Sequence, residues 1–268
     1  MKLFFVLISI AIAIVIGFYY LKGKIKPFIY GIFVSIFMAI TIFLAFLPNL
    51  DVNNTKSFFT LPSIPNYGDL IRIFNFHIPI AWVSVLAYLI SMLFSIIYLR
   101  TRDLSNDIKA SSSALIGTIF CLLTTITGML WAKSTWGSYW NWDPREISIF
   151  ILLLIYAAYF ALRSALDNQL IKARLSSVYS IVAFFSVPVL VFILPRTSSG
   201  LHPGSLSDGN SSIGPVIDTS SGMVNDTLLL SMCFGFFSFT LLFFWLLSIH
   251  IKFNQIKKQI ELMLDKDI

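Results

Sequence analysis

Charged residues are scarce in this chain. Asp, Glu, Lys and Arg make up 12% of the 268 residues, whereas about 25% is usual in a soluble domain. A water-soluble globule could not cover its surface with so few charges, so a cytosolic enzyme and a free nucleic-acid-binding protein are excluded. Cysteine is also rare, and the two that occur, Cys121 and Cys233, fall within apolar stretches. There is therefore no disulfide framework, CxxC pair or CxxCH motif.

Apolar residues are abundant instead, at 57% of the chain with 26 phenylalanines. A membrane-spanning helix needs about 20 apolar residues, and seven segments of suitable character contain no Lys, Arg, Asp or Glu. They are residues 3–21, 27–47, 76–99, 114–132, 147–162, 175–195 and 227–251. Alternating, strand-like patterns are absent, which favours helices over a barrel. The sequence predicts an all-α integral membrane protein, a polytopic helical bundle of six to seven transmembrane helices.

The seven segments suggest a division of the chain. Residues 1–26 are predicted to be an extra N-terminal transmembrane helix and a basic loop, because no small-residue cleavage site follows the first segment. Residues 27–251 would form the main bundle, and 252–268 a basic cytoplasmic tail. Segment 147–162 would be roughly 24 Å long as a helix, short of a bilayer core of about 30 Å. We therefore expect the loop before it to lie at or in the membrane surface.

The positions of Lys and Arg predict the orientation of the bundle. One set of alternate loops, together with the tail, holds 13 of these residues, and the other set holds 6. Because basic residues concentrate on the cytoplasmic side, the loops 48–75, 133–146 and 196–226 are predicted to face the outside. These three loops hold most of the Pro, Gly, Ser and Asn of the chain, and long loops on one face of a bundle are where function tends to lie.

The second outer loop contains an aromatic cassette, residues 136–146, with the sequence WGSYWNWDPRE. It includes Trp136, Tyr139, Trp140 and Trp142. Such residues often form an interfacial belt at the headgroup level, but belt residues are normally scattered over many helix ends. Here they form one cluster, which could equally be a platform on which a flat, apolar ligand stacks.

Asp143 has a structural interpretation first. The run from Asp143 to Glu146 reads as an N-cap, a proline at the first helical position and an acid three residues after the cap. It would begin the fifth helix whatever the function. Arg145 is less constrained, and at a membrane face it could pair with a ligand carboxylate.

Two of the three histidines, His77 and His202, lie on the predicted outer face. Pro79 fits a first helical turn, which would place His77 at the mouth of the third helix, where a helix N-terminus favours a neutral, ligating ring. His202 lies in the third outer loop. His250 lies at the inner end of the last helix and receives no role.

Two imidazoles over a flat aromatic platform meet the requirements of six-coordinate haem iron. The outer basic residues nearest in sequence to these elements are candidates for binding the haem propionates. They are Arg72, Lys133, Arg145 and Arg196.

Two other functional classes fit the sequence less well. A transmembrane electron-carrying cytochrome would need histidine pairs at two depths, and both candidates here lie on one face. A secondary transporter would need charged residues in its spans and broken helices, for which the segments give little support. No hydrolytic triad, P-loop or pair of catalytic carboxylates is present, so the chain is predicted not to be an enzyme.

The motifs resemble a known family. WGSYWNWDPRE resembles the tryptophan-rich WWD signature of the haem-handling proteins of cytochrome c maturation, and RIFNFHIPIAW resembles the segment around their first ligand histidine. The order of His77, the aromatic cassette and His202 matches the smaller type, CcmC, the haem exporter protein C family. The similarity covers about residues 67–205. Six spans are usual in that family, whereas seven are counted here.

The resemblance implies a function. CcmC-like proteins bind haem b (iron protoporphyrin IX) at the outer face of the bacterial inner membrane and present it to the periplasmic haem chaperone CcmE. They act beside CcmA and CcmB, which are ABC transporter subunits, and the small membrane protein CcmD, so ATP hydrolysis would occur on a partner chain. Partners would also include membrane lipid but no nucleic acid.

By position, the resemblance makes His77 and His202 the axial ligands. The other haem-binding residues would be Trp136, Gly137, Trp140, Trp142, Asp143 and Arg145. The wording WDPRE is closer to the CcsA (ResC-like) cytochrome c synthetases, which present haem directly to apocytochrome c. A CcsA/ResC-like synthetase subunit is therefore the alternative.

Overall fold

The structure is a computed structural model. It describes residues 2–48, 60–61, 68–202, 205–208 and 225–264. Parts of the predicted outer loops 48–75 and 196–226, and the last four residues of the predicted tail 252–268, lie outside the described residues.

Helices account for nearly all of the described chain. They are α1 (Lys2–Leu21), α2 (Pro27–Ala45), α3 (Phe74–Thr101), α4 (Leu104–Trp136), α5 (Pro144–Ser164), α6 (Gln169–Pro188), α7 (Leu194–Thr197) and α8 (Asp226–Leu264). A π-helical segment, Val189–Ile193, joins α6 to α7, and a 3₁₀ segment, Gly68–Ile73, leads into α3. In the described residues, seven helical segments are long and apolar enough to cross a membrane. The prediction of an all-α bundle is confirmed.

The fifth helix is longer than predicted. α5 has 21 residues, which at 1.5 Å per residue is about 32 Å, enough for a bilayer core. The predicted short length of this helix is therefore wrong, and the position of the preceding loop at the membrane surface stays a prediction. The reason is local: Pro144 and the two residues after it are already helical, because Asp143 and Glu146 form a capping box at the helix start.

The start of the third helix also differs from the prediction. Pro79 is the sixth residue of α3, inside the helix rather than in its first turn. The 3₁₀ segment Gly68–Ile73 runs directly into α3 and so moves the helix start towards the N-terminus. A proline cannot donate a hydrogen bond to the carbonyl of Asn75, and that carbonyl lies against α8, where a Cβ on Gly235 would be 2.9 Å from its oxygen.

Two helices, α3 and α8, form the centre of the bundle. α8 contacts α1, α2, α3 and α4, while α3 contacts α4, α6 and α8. α1 approaches α8 closely at Gly17, where a Cβ would overlap the ring of Phe244. Only a glycine allows this contact. On the α2 side, Tyr30 donates a hydrogen bond to the carbonyl of Leu241 in α8 at 3.1 Å.

The other half of the bundle consists of α4, α5 and α6 packed around α3. The fully buried rings of Tyr88 and Tyr156 stack 3.5 Å apart and join α3 to α5. At the predicted inner end, Arg163 of α5 donates two hydrogen bonds to the carboxylate of Asp107 in α4, at 2.7 and 2.9 Å. This half also carries the predicted outer ends of α4 and α5, which bound the aromatic cassette.

Candidate functional site

His77 is the fourth residue of α3, and its ring meets α4. Nδ1 of His77 lies 2.8 Å from Oγ1 of Thr127. The Thr127 hydroxyl carries one proton, which it donates to the carbonyls of Leu123 and Thr124 at 2.8 and 3.1 Å. The hydroxyl oxygen is then the acceptor for the histidine, so Nδ1 carries the proton and Nε2 keeps the lone pair that a metal ligand requires.

A glycine lies beside this ring. A Cβ built on Gly128 of α4 would lie 3.3 Å from Cε1 of His77, which is tighter than most such contacts. The ring of His77 is therefore restricted by the Thr127 hydrogen bond and by the surface of α4. A ligand ring restricted in this way loses little freedom when it binds a metal.

His202 is oriented by a carboxylate. Nδ1 of His202 lies 3.2 Å from Oδ1 of Asp143, and the ring meets Trp136 edge-on, with ring centroids 4.9 Å apart. Because an ionised carboxylate only accepts, Nδ1 carries the proton here too and Nε2 keeps its lone pair. Among the described residues, Nε2 of neither His77 nor His202 has an assigned hydrogen bond.

Asp143 links three parts of the site. Its side chain is buried, and it accepts the N–H of Arg145 at 2.9 Å and the N–H of Leu201 at 2.6 Å in addition to the ring of His202. The carboxylate of Glu146 in turn accepts the N–H of Asp143 at 3.2 Å. The predicted N-cap is confirmed as a complete capping box. The Asp143 carboxylate also fixes the loop that carries His202.

Opposing effects set the charge of Asp143. Burial raises the pKa of this carboxyl, but the hydrogen bonds from His202 and from the backbone of Arg145 and Leu201 outweigh burial and lower the pKa to about 2. The group is therefore ionised at neutral pH. The loop lies so close that a Cβ on Gly200 would be 2.6 Å from Oδ2 of Asp143.

The first residue of the aromatic cassette, Trp136, is still part of a helix. α4 continues to Trp136, and Gly137 ends it with φ +81°, a left-handed conformation that glycine adopts without strain. Trp140 and Trp142 then meet edge to face at 5.8 Å. Trp142 also has a left-handed φ, +56°, and 71% of its surface is exposed. The loop thus presents an indole ring outward in a conformation that costs roughly 1–3 kcal/mol.

Two arginines in this region lack complete hydrogen bonding. Nε of Arg145 and Nε of Arg196 are both buried, and neither has a partner in the described part of the chain. The two guanidinium groups are close enough to repel each other, while the Asp143 carboxylate attracts the guanidinium of Arg145. Buried charges normally have partners, so this pair is suited to an anionic ligand.

The two other predicted basic residues are already engaged. Arg72 forms an ion pair with Asp69 at 2.8 Å and donates to the carbonyl of Leu47 at 2.7 Å. Lys133 donates to the carbonyl of Gly137 at 2.9 Å, which stabilises the end of α4. Arg196 is partly engaged as well, since Nη1 donates to the carbonyl of Phe192 at 3.4 Å, but Nε of both Arg145 and Arg196 lacks a partner among the described residues. Arg145 is thus the best placed of the four to bind a ligand carboxylate, followed by Arg196.

The structure brings most of the predicted residues to one end of the bundle. His77 interacts electrostatically with both His202 and Arg145, and Trp136 contacts His202. His250 lies at the opposite end of the bundle, where its ring meets the amide of Asn254.

The residues that support the two histidines could not be selected from the sequence. Thr127 and Gly128 occur in an apolar helix that carries several other threonines and one other glycine, Gly117, so nothing local marks them. Gly200 and Leu201 touch Asp143 only because the chain returns 58 residues later. The one available signal was the position of Leu201 immediately before His202.

The chain is similar to known proteins of one family. The family model described as CcmC, heme exporter protein C, matches residues 16–264. The heme exporter protein C of Rhodobacter capsulatus is 31% identical over 148 residues, 55% of this chain and 61% of that protein. That of Bradyrhizobium diazoefficiens is 32% identical over 139 residues, 52% of this chain and 53% of that protein.

A ccmC-like mitochondrial protein of cytochrome c biosynthesis from Marchantia polymorpha is 31% identical over 157 residues, 59% of this chain and 66% of that protein. The matches therefore span between about half and two thirds of the length of these relatives. The family model, in contrast, covers nearly all of this chain, including both histidines and the aromatic cassette. The chain belongs to the heme exporter protein C (CcmC) family.

Proposed function

We propose that this protein binds haem at the outer face of the bacterial inner membrane and delivers it to a CcmE-like periplasmic chaperone during cytochrome c maturation. One observation carries the proposal. His77 and His202 each have Nδ1 fixed by a neighbouring acceptor, which leaves Nε2 of both rings available at the end of the bundle that holds the aromatic cassette.

The residues present suit haem as a cargo. His77 and His202 would bind the iron from its two sides, since neutral imidazoles are common iron ligands. Indole rings of the cassette suit the apolar porphyrin face. Trp142 is exposed, while Trp136 and Trp140 are partly buried.

The polar residues suit the edge of the porphyrin. Arg145 and Arg196, whose buried Nε groups lack partners among the described residues, would pair with the two propionates. Asp143 would orient His202 and raise the basicity of its ring. Gly137 would provide the turn that projects the cassette from α4.

The placement of the two histidines suggests how the cargo leaves. His77 is part of a central helix, whereas His202 lies in a loop held mainly by Asp143. Displacement of His202 from its ligand position would require only that loop to move. We therefore assign His77 as the permanent ligand and His202 as the one exchanged when haem passes to the chaperone.

Membrane orientation and partners complete the proposal. The surplus of basic residues in the inner loops favours an outward-facing site. CcmA- and CcmB-like ABC transporter subunits and a CcmD-like small protein would act beside this chain. ATP would then be hydrolysed on a partner chain.

Absorption spectra of the purified chain test the site. We expect a low-spin, bis-imidazole haem spectrum for the wild type after haem-replete expression, and a weakened or high-spin spectrum for His77→Ala and for His202→Ala. His250→Ala is the matched control and should resemble the wild type, because His250 lies at the other end of the bundle. Unchanged spectra in both test variants, or no haem in the wild type, would contradict the proposal.

A transfer assay tests the destination of the haem. The haem-loaded protein, in nanodiscs with its ABC subunits and ATP, is mixed with either a CcmE-like chaperone or an apocytochrome c. Transfer to the chaperone alone is expected. Direct transfer to apocytochrome c would favour the CcsA/ResC-like alternative.

A further inference from the structure

A polar cavity of about 400 Å³ lies at the predicted inner end of the bundle, away from the candidate haem site. It is formed by the start of α4, the end of α5 and the loop after it, the start of α6 and the C-terminal part of α8. Apart from Ile108, the described residues that line it are polar or charged. Its volume falls within the range of small-ligand sites in proteins. We call it the inner cavity.

Some of the charges that line the inner cavity are already paired. Arg163 donates two hydrogen bonds to the carboxylate of Asp107, at 2.7 and 2.9 Å, so these two charges neutralise each other. Lys257 also lines the cavity and is engaged in an interaction of its own. These three residues shape the cavity, and none of them is needed to bind a ligand.

Two lysines in the lining have no such partner. Lys172 of α6 and Lys258 of α8 are half-buried, and neither forms a hydrogen bond or an ion pair with another described residue. Lys258 acts electrostatically on Asp103, but that carboxylate is exposed and lies outside the cavity lining. The remaining carboxylate of the described lining belongs to Asp167, which is exposed. Because buried charges normally have partners, the two lysines make the inner cavity suited to an anion.

Exposed apolar side chains border the inner cavity on both helices. Leu170 and Ile171 precede Lys172 in α6, and Phe253 and Ile256 lie in the same stretch of α8 as Lys258. Both helices are long and apolar enough to cross a membrane, and the cavity lies near their predicted inner ends. The region therefore offers cationic groups at the level of the lipid headgroups and apolar surface beside them.

Phosphate is the anion that fits this setting best. The lysine ammonium group is a common phosphate ligand in proteins. Basic cavities between membrane helices on the cytoplasmic side are typical sites for acidic lipid headgroups. A small soluble anion would use the lysines but leave the apolar borders of the cavity unoccupied, whereas a phospholipid would use both.

We propose that the inner cavity binds the phosphate group of an anionic phospholipid. Lys172 and Lys258 would hold the phosphate between them, while the acyl chains would lie along the exposed apolar residues of α6 and α8. The bound lipid would connect α6 to the C-terminal part of α8, two helices that both pack on α3. Binding at this end of the bundle does not depend on haem.

Native mass spectrometry of the full chain in detergent measures this binding. The chain is titrated with phosphatidylglycerol and, separately, with a diacylglycerol that has the same acyl chains but no phosphate. We expect phosphatidylglycerol to bind at least tenfold more tightly. Equal affinity for the two lipids would overturn the proposal, because apolar contact alone would then explain the binding.

Matched variants locate the binding. A lysine near an anionic headgroup contributes about fivefold to affinity, so Lys172→Gln/Lys258→Gln should bind phosphatidylglycerol roughly 25-fold more weakly. Lys172→Arg/Lys258→Arg keeps both charges and should stay within about threefold of the wild type. The control is Lys22→Gln/Lys24→Gln, which removes the same charge from the predicted inner loop between α1 and α2, outside the cavity lining, and should stay within about twofold. Circular dichroism and thermal denaturation show whether each variant remains folded.

Three further results would contradict the proposal. Wild-type affinity in Lys172→Gln/Lys258→Gln would remove the site from the inner cavity, and an equal loss in the Lys22→Gln/Lys24→Gln control would reduce it to a general effect of charge. Inorganic phosphate, titrated in place of lipid and followed by phosphorus NMR, distinguishes the source of the phosphate. Phosphate binding that depends on Lys172 and Lys258, in a chain that does not bind phosphatidylglycerol, would assign the cavity to a soluble phosphate compound instead of a lipid.

Discussion

Replacing Asp143 by asparagine tests the link between the helix cap and the candidate ligand His202. The carboxylate faces three donors: the N–H of Arg145, the N–H of Leu201 and Nδ1 of His202. Asparagine is also a good N-cap, so α5 should still begin at the same residue. Its NH₂ group, however, must face at least one of the other donors, and the ring of His202 would lose its fixed tautomer.

The lowered pKa of Asp143 gives the size of the effect. The fall from the ordinary value of 3.8 to about 2 corresponds to about 2 kcal/mol of folding free energy at neutral pH. Because the pKa is lower in the folded state, this stabilisation is present above about pH 4 and is lost as the pH falls through about 2. We expect Asp143→Asn to be about 2 kcal/mol less stable than the wild type at pH 7, and the difference to shrink between pH 4 and pH 2.

Two measurements check this. Thermal denaturation in detergent across the pH range reports stability, and haem titration reports the site, where loss of a residue that orients a ligand typically lowers affinity by about 10- to 100-fold. Asp103→Asn is the matched control, because Asp103 caps α4 by accepting the N–H of Ser105 at the far end of the bundle. Wild-type haem affinity in Asp143→Asn, or an equal loss in Asp103→Asn, would refute the reasoning.

Three further substitutions give separable outcomes. Thr127→Val removes the acceptor for Nδ1 of His77 without a change of shape, and should reduce haem affinity by about tenfold or more while thermal denaturation shifts little; wild-type affinity would show that Thr127 does not orient the ring. Gly128→Ala places a methyl group 3.3 Å from Cε1 of His77 and should weaken the His77-dependent part of the haem spectrum; a normal spectrum would mean that α4 yields. Arg163→Ala leaves the buried carboxylate of Asp107 unpaired, and the expected loss is about 3–5 kcal/mol of stability, measured by thermal denaturation; a loss below about 1 kcal/mol would show that water replaces the ion pair.

The architecture could be predicted from the sequence, because the length of an apolar stretch and the positions of the charges around it are local properties of the chain. Every helix that could cross a membrane was visible as a stretch without charges. The ends of the helices were harder to predict, because a capping box makes polar residues such as Glu146 part of a helix although they lie outside its apolar stretch. The start of α3 was misjudged for a related reason, since the 3₁₀ segment before it gives no hydropathy signal.

The candidate site was predictable only in part. The histidines and tryptophans are rare residue types in a conspicuous arrangement, so they could be selected from the sequence. Thr127 could not, because a threonine in an apolar helix usually bonds to the carbonyl of a preceding turn, and Thr127 does this as well as accepting from His77. Asp143 and His202 are far apart in the sequence, and no local pattern predicts that the fold brings them into contact.

The π-helical segment between α6 and α7 determines which way the side chains of α7 point. A π turn contains one more residue than an α turn, and one residue corresponds to about 100° of rotation around a helix axis. Residues Val189–Ile193 therefore rotate Arg196 by roughly a quarter turn relative to the face it would occupy on an uninterrupted α6. The number of residues in the π turn therefore determines the direction in which the guanidinium of Arg196 points. An insertion or deletion of one residue there would redirect Arg196 while every side chain in the site stayed chemically the same.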